Sequence, residues 1–491
     1  MNPSEENRLP VEFPPLPPDL RQPPLRIWLR YFGPGAIMAC VTIASGETVF
    51  ASRNGAIFGY SLMWCFAIGA LMKGLQVYSA SRFITLTGRH PLDSWLELPG
   101  RGAFVWFVAV MSIFWMPFFI GGGLPRMLGD FTNWVVGFPD PQDAKQYVFY
   151  GRVWGTLFTV VAVLITWLQT YGFLEKIQTA MVALLVLCML IAAILSNPDW
   201  VALLQGMVVP SPVEYQPWVL SEYPLFANRH PWVETLVCIS IIGGGTQDYI
   251  GYIGMLREKG WGMMGRVANG PDTPSRNLSR SPENLSRGRA WLRAPLIDVV
   301  VSFIMILVFT VSFSVLGAAV LNPQKVIPEG FELLTIQAGY LVRPGQSDLV
   351  QFLLGWVYKT GIFFAFFGTI YGAYELYTRT THECVVAIMP RFRHVSMRKF
   401  RLFTIVWNAG AGLCLLWLTT KDPVKLVTPA ALVVAGIVSG LWCFAMLWSD
   451  RAHVPRELQM KWPLRVGLVI SGVFLTVGPL LALIRFVQDT F

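Results

Sequence analysis

The amino-acid sequence predicts an all-α integral membrane protein with about eleven transmembrane helices. The chain has 491 residues, of which 54% are hydrophobic and only 14% are charged, whereas soluble domains carry roughly 25% charged residues. The charged residues lie in connecting segments, which leaves long apolar runs between them. Crossing the hydrocarbon core of a bilayer takes about 20 apolar residues. Runs of this kind occur at 33–55, 60–85, 102–123, 151–168, 174–195, 233–256, 296–321, 350–377, 401–419, 426–448 and 464–486.

The distribution of basic residues fits eleven spans with the amino terminus inside. In that orientation, 26 of the 38 Lys and Arg residues fall on the cytoplasmic side, as the positive-inside rule requires. Topology therefore accounts for the net charge of +9. No nucleic-acid partner is expected, because too little soluble chain remains to form a basic patch. We expect a multi-pass protein of the plasma membrane, surrounded by the lipid bilayer and without an obligate protein partner.

Two of the apolar runs contain residues that a continuous helix avoids. The first run includes Ala44-Ser45-Gly46-Glu47, and the sixth includes Gly243-Gly244-Gly245-Thr246-Gln247-Asp248. A glycine costs a helix about 1 kcal/mol relative to alanine, and a carboxylate at the bilayer centre costs about 3 kcal/mol. Close helix packing would explain the glycines, but it does not explain Glu47 and Asp248. Irregular backbone at this depth is tolerated where it lines a cavity or is buried in protein.

The five-helix offset between these interruptions predicts two inverted repeats of five helices each. In transporters built this way, the interrupted helices unwind at the midplane and present backbone groups to the substrate. A polar, low-complexity stretch at 266–290 is expected to be mobile. The predicted regions are a Pro-rich cytoplasmic tail (1–30), the first repeat (31–195), an extracellular loop (196–232), the second repeat (233–448) with a mobile cytoplasmic loop (257–293), and an eleventh helix with the carboxyl terminus (449–491).

The first two spans resemble those of the Nramp (natural resistance-associated macrophage protein) family. The landmarks that carry the resemblance are Gly33-Pro34-Gly35, Gly46, Gly55, Phe58-Gly59-Tyr60, Trp64, Leu71-Met72, Arg82 and Thr87-Gly88. The resemblance implies a LeuT-like fold and the import of manganese or ferrous iron coupled to protons. It covers residues 33–88 closely and the remainder of the chain only through helix count, helix breaks and the basic segment Arg398-Lys399-Phe400-Arg401.

The residues that carry the family's chemistry differ in this chain. Where the family has Asp-Pro-Gly-Asn in its first helix, this chain has Ala44-Ser45-Gly46-Glu47; where the sixth has Met-Pro-His-Asn, it has Gly245-Thr246-Gln247-Asp248. The predicted third span, 102–123, carries no acid, although the family places proton-handling carboxylates there. Loss of a thioether with retention of two carboxylates favours hard ions. Magnesium, which takes oxygen ligands and keeps several waters, is the leading candidate.

The resulting hypothesis is a secondary transporter of a divalent cation, magnesium or manganese. The predicted ligands are Glu47, Asp248, the carbonyls of Ala44 and Gly243, and the Thr246 hydroxyl. Ser45, Gly46, Gly245 and Gln247 complete the two breaks. Without the family's usual proton carriers, we expect transport of the cation to be driven by membrane potential and not coupled to protons.

An organic-solute transporter of the same superfamily is the alternative. The glycine-rich backbone would bind a substrate carboxylate at helix N-termini, and Glu47 or Asp248 would bind an amine. Lys73, in the middle of the second span, favours this alternative because a buried cation repels a metal ion; it could equally form an internal ion pair with Glu47 or another acid, or take part in coupling.

The chain has none of the motifs that would indicate an enzyme. HExxH, P-loop, GxSxG and CxxC patterns are absent from the sequence, so we expect no catalytic residues and no cofactor other than the transported ion. Cys40 and Cys238 are interpreted as packed thiols. Glu375 is interpreted as a charge at the cytoplasmic end of the eighth span.

Overall fold

A computed structural model of the chain describes residues 10–21, 28–43, 47–100, 102–211, 213–224, 226, 230–266, 278–327, 347–418 and 431–490. Within these residues the structure is almost entirely helical, and the β pairing consists of one isolated bridge between Val11 and Leu278. The all-α prediction is therefore confirmed.

Helices occupy all eleven predicted positions, counted over the described part of the chain. They are α1a (Pro34–Ile43) and α1b (Ser52–Phe58), α2 (Met63–Thr87), α3 (Ala103–Val136), α4 (Ala144–Leu168), α5 (Tyr171–Leu195), α6a (Pro231–Ile241) and α6b (Thr246–Met255), α7 (Arg293–Leu316, continued by a π turn at Gly317–Leu321), α8 (Asp348–Ile388), α9 (Met397–Leu418), α10 (a π turn at Ala431–Ile437, then Val438–His453) and α11 (Trp462–Thr490).

Eight of these helices are long and apolar enough to cross a membrane by length and composition, within the described residues. The other three are α1, α2 and α6. In α1 the described residues stop at Ile43 and resume at Glu47, α6 consists of two short pieces, and α2 carries buried polar side chains at Lys73, Gln76 and Arg82. The break in α6 and the polar composition of α2 thus explain why these two helices fail the criterion.

The interrupted helices lie at the centre of the bundle. Every residue of α1a and every residue of α6b is buried. The outer helix α4, by contrast, exposes Val153, Leu157, Val160 and Leu164, as expected for a lipid-facing surface. The glycine-rich segment of α6 is therefore flanked by buried helix, a setting in which irregular backbone is tolerated.

The third helix is longer than predicted, and this corrects the expectation that it carries no acid. The predicted span ended at residue 123, but a π-helical turn at Pro117–Gly123 continues the helix to Val136. The additional turns include Asp130, which is buried and accepts a 2.8 Å bond from Arg126 one turn earlier.

The segment expected to be a mobile loop, 257–293, contains helical turns where the structure describes it. Residues 256–259 and 262–265 form two short 3₁₀ turns, and a helix at Pro282–Trp291 begins with Ser281 as its N-cap. That helix packs on the amino-terminal segment: Phe13 is fully buried, its amide donates to Asn284, and Trp291 donates to the Pro14 carbonyl. The mobility of this loop stays a prediction, and 267–277 lie outside the described residues.

Charged residues within α8 form ion pairs with neighbouring segments. Glu375 pairs with Arg401 of α9 at 2.9 Å and with Arg379 at 3.4 Å. Arg379 also pairs with Glu258, which follows α6b, at 2.7 Å. The helix continues beyond Glu375 to Ile388, so Glu375 does not lie at a helix end, and its ion pairs connect α8 to neighbouring segments.

Candidate substrate site at the broken helices

The interruption of α6 is a left-handed turn that requires glycine. Gly243 and Gly244 have φ values of +75° and +84°, a region that residues with a Cβ rarely adopt. Gly244 also meets α1a, because a Cβ there would lie 2.3 Å from Cγ2 of Thr42. The predicted break in the sixth helix is thus confirmed, and close packing contributes to it as well.

Two carboxylates bind backbone amides of this turn. Oε1 of Glu47, at the start of the π turn that leads into α1b, accepts a 2.8 Å bond from the Gly243 amide. Oδ2 of Asp248, in the first turn of α6b, accepts a 2.7 Å bond from the Gly245 amide. Both side chains are almost completely buried. The turn therefore brings together the two predicted ligands, one from each interrupted helix.

Lys73 of α2 binds backbone carbonyls at and near the same turn, whereas the carboxylates bind its amides. Its ammonium donates to the carbonyls of Ser240, Gly244 and Ala435 at 2.8, 2.6 and 2.7 Å. The side chain is fully buried and interacts electrostatically with Glu47 and Asp248. Among the described residues, then, the ammonium binds backbone carbonyls and makes no direct ion pair with a carboxylate.

The other predicted site residues take up varied positions. The Thr246 hydroxyl donates to the Val434 carbonyl of α10 at 3.0 Å, and the Gly243 carbonyl accepts from the Tyr249 hydroxyl at 2.9 Å. Gln247 is buried, and its carbonyl accepts from Thr380 of α8 at 2.7 Å. Ala44, Ser45 and Gly46 lie outside the described residues. The predicted site residues Thr246 and Gln247 are thus hydrogen-bonded to α10 and α8, respectively.

A third buried carboxylate, missed by the sequence reasoning, joins the start of α1a to α6b. Asp298 of α7 accepts bonds from the Gly33 amide at 2.9 Å, from the Gly35 amide, and from the Tyr252 hydroxyl at 2.8 Å. Its signal in the sequence was one acid inside the otherwise apolar run Leu296-Ile297-Asp298-Val299-Val300. Such an acid inside a span normally marks a function or a structural pairing.

Soft ligands are not gathered at this turn. Cys40 packs against Gly368 and Cys238 is buried in α6a; neither thiol is paired in a disulfide. Within the described residues no group of three or more His, Cys, Asp or Glu side chains is arranged to hold a metal ion. An ion at the turn would therefore depend on Glu47, Asp248 and backbone or amide oxygens.

A separate cavity of about 540 Å³ opens beyond the end of α1b. Its lining includes Tyr60, Gln205, Gln216 and Asn322. Asn322 donates to the Ala56 carbonyl at 2.8 Å and to Gln216 at 3.2 Å. The described lining combines amide and hydroxyl groups with the apolar side chains of Phe58 and Val209 and includes no charged side chain, which distinguishes the cavity chemically from the turn in α6.

The family described as natural resistance-associated macrophage protein-like matches residues 35–485. The chain therefore belongs to the Nramp family, and the resemblance seen in residues 33–88 is confirmed. Members of this family are transporters and not enzymes. A multi-pass membrane protein is the corresponding architecture.

Individual relatives are distant in sequence. The divalent metal cation transporter MntH of Listeria welshimeri is 23% identical over 197 residues, which is 39% of this chain and 40% of that protein. The match thus spans well under half the length of this curated relative. The name of that protein describes a transporter of divalent metal cations.

Solved structures with the same fold are transporters. A crystal structure of a variant of the Eremococcus coleocola manganese transporter has a TM-score of 0.69 at 13% identity, covering 98% of this chain and 90% of that one. MhsT in complex with L-phenylalanine has a TM-score of 0.53 at 13% identity, covering 93% and 98%. At this identity the likeness shows the fold, which is the LeuT-like fold that the resemblance implied.

Proposed function

We propose that this chain is a secondary transporter that moves a hard divalent cation, magnesium or manganese, past the break in α6. The observation that carries the proposal is the convergence of Glu47 and Asp248 on amides two residues apart in one turn. Family membership supports a metal cation as the substrate over the organic solute of the alternative hypothesis, and so does the similarity to the Listeria divalent metal cation transporter.

The donor chemistry supports a hard ion. The side-chain oxygens that the structure describes at the turn include those of Glu47, Thr246, Gln247 and Asp248, and oxygen ligands suit magnesium and manganese. Gly245 stands where the family has a thioether, so no soft donor is present at that position. Ala44, Ser45 and Gly46 remain predicted contributors from the first helix.

The bonds to the turn would orient the carboxylates for an incoming ion. A carboxylate has about four lone-pair directions, and the amide bond to Glu47 or to Asp248 occupies one of them while orienting the side chain. The Gly243 and Gly244 carbonyls are already bonded to Tyr249 and Lys73. We therefore expect the carboxylates, more than these carbonyls, to contact a partly hydrated ion.

Uptake into proteoliposomes tests the proposal directly. Glu47→Gln and Asp248→Asn keep the shape of each side chain but remove its charge, and each should reduce magnesium or manganese uptake by about tenfold or more, since a tenfold loss corresponds to about 1.4 kcal/mol of binding. Glu222→Gln is the matched control, because Glu222 pairs with Lys325 at the surface at 3.3 Å. Normal metal uptake by both site variants, or uptake of an amino acid without any metal response, would overturn the proposal.

Orientation and location belong to the same proposal. The excess of basic residues in alternate connecting segments supports an amino terminus on the cytoplasmic side of the plasma membrane. With that orientation, inward movement of a doubly charged ion gains about 4.6 kcal/mol per 100 mV of membrane potential. Cysteine labelling of a residue in the 389–396 segment, between α8 and α9, from each side of sealed vesicles would determine the orientation.

A further inference from the structure

The carbonyls that bind Lys73 come from three different segments. Ser240 lies in the last turn of α6a, Gly244 lies in the break, and Ala435 lies in the π turn that begins α10. The last carbonyls of α6a, including that of Ser240, have no intrahelical donor and carry the negative end of the helix dipole. Three elements thus direct acceptors at one point.

This arrangement is a complete coordination shell for an ammonium group. A lysine has three N–H donors, and here each has a carbonyl acceptor between 2.6 and 2.8 Å. The Tyr249 ring adds a cation–π contact at 5.8 Å. Carbonyl oxygens arranged in this way replace the hydration shell of a monovalent cation.

We propose that the carbonyls of Ser240, Gly244 and Ala435 form a monovalent-cation site, and that the Lys73 ammonium occupies it in place of a free ion. Because the ammonium is tethered, its effective concentration at the site excludes free ions. The residue therefore positions the break in α6 against α10 without requiring sodium or potassium. Shortening the side chain exposes the site to a free ion of similar size and donor number, namely ammonium.

Lys73→Ala tests this assignment by chemical rescue. The purified variant is unfolded thermally while ammonium chloride replaces tetramethylammonium chloride at constant ionic strength. We expect a saturable rise of the melting temperature with ammonium, and a smaller rise with methylammonium. The wild-type protein should show no such rise. A Lys73→Ala protein that folds but is unaffected by ammonium would overturn the proposal.

Two further variants separate cation binding from a loss of packing. Lys73→Met fills the space of the aliphatic stem but blocks the site, so its melting temperature should not respond to ammonium. Lys359→Ala removes a lysine whose ammonium lies 4.8 Å from the Trp134 ring, and it should not respond either. An equal ammonium response in either control would show that the effect is nonspecific.

The test remains decisive if Lys73→Ala does not fold in ordinary buffer. Extraction in ammonium chloride should then recover monodisperse protein, whereas extraction in tetramethylammonium chloride should not. Failure in both salts would contradict a cation site. Because the measurement is thermal stability, its outcome is independent of which solute the protein transports.

Discussion

Asp298 holds the first turn of α1a at Gly35: the Gly35 amide donates to both carboxylate oxygens, at 3.2 and 3.0 Å. A Cβ at position 35 would lie 2.1 Å from Oγ of Ser302, so glycine permits this approach. Because Tyr252 of α6b binds the same carboxylate, one acid in α7 connects the two interrupted helices at a distance in sequence from either break.

Replacing Asp298 by Ala should destabilise the protein. Two buried amides and one hydroxyl lose their acceptor, and an unsatisfied buried donor costs about 1–3 kcal/mol. We expect a lower melting temperature in detergent. The control is Thr310→Val on the same helix, because the Thr310 hydroxyl donates to the Ile306 carbonyl one turn earlier. Equal melting temperatures for the two variants would contradict the role assigned to Asp298.

Gly244 and Gly245 should differ sharply in their tolerance of alanine. Gly244→Ala combines a φ of +84° with the 2.3 Å approach to Thr42, and the backbone conformation alone costs about 1–2 kcal/mol. Gly245 has an extended φ of −126°, and its nearest neighbour is the flexible end of the Gln247 side chain. Thermal unfolding should therefore show a marked loss for Gly244→Ala and a small change for Gly245→Ala. The reverse order of stability would contradict the left-handed conformation of Gly244.

Gly245→Met should increase the preference for soft ions. The extended backbone at this position accepts a side chain, and a thioether binds cadmium better than it binds magnesium. We expect the ability of cadmium to inhibit manganese uptake to rise by about tenfold, or about 1.4 kcal/mol, while magnesium competition weakens. Gly245→Leu, which has similar bulk and no sulfur, is the control. A cadmium response of the same size in Gly245→Leu would exclude thioether coordination.

Cation uptake should proceed without proton movement even though α3 contains an acid. Asp130 is engaged with Arg126 at 2.8 Å, so we expect its role to be structural. Asp130→Asn should lower stability by about 3 kcal/mol, as is typical when one partner of a buried pair is removed. It should leave the internal pH during metal uptake unchanged, as read by a dye in proteoliposomes at fixed potential. Acidification that follows metal entry in the wild type and disappears in Asp130→Asn would instead make Asp130 a proton carrier.

The amino-terminal segment should detach when Phe13 is shortened. Phe13 is fully buried against Gly288, and loss of a buried phenylalanine side chain costs about 3 kcal/mol or more. Limited trypsin digestion of Phe13→Ala should therefore cleave near Arg21 much faster than in the wild type. Glu12→Gln, which removes an exposed pair with Arg287, should change the rate little.

One contact of this segment should be insensitive to pH in the physiological range. The Tyr31 hydroxyl donates to Asp19 at 3.0 Å, and burial together with that bond raises the pKa of Tyr31 to about 12. The phenol therefore stays protonated and keeps donating at neutral pH.

The positions of the spans and the break in α6 were predictable because each depends on a local pattern. Apolar runs determine span positions, and Gly243-Gly244-Gly245 followed by Asp248 is incompatible with a helix exposed to lipid. The length of α3 was not predictable, since its glycines serve packing: a Cβ on Gly121 would lie 2.2 Å from Cα of Gly412 in α9. Nor were the partners of Lys73, because backbone carbonyls leave no signature in the sequence.

The segregation of polar and interrupted helices at the centre of the bundle has a consequence for synthesis. Within the described residues, α2 and α6 do not reach the length and apolarity of a membrane span, whereas α3, α4 and α5 do. A nascent chain that ends after Thr87 would present to the translocon a polar second helix with a weaker tendency to partition into the bilayer. We therefore expect stable integration of the amino-terminal helices to depend on contacts with helices that are synthesised later.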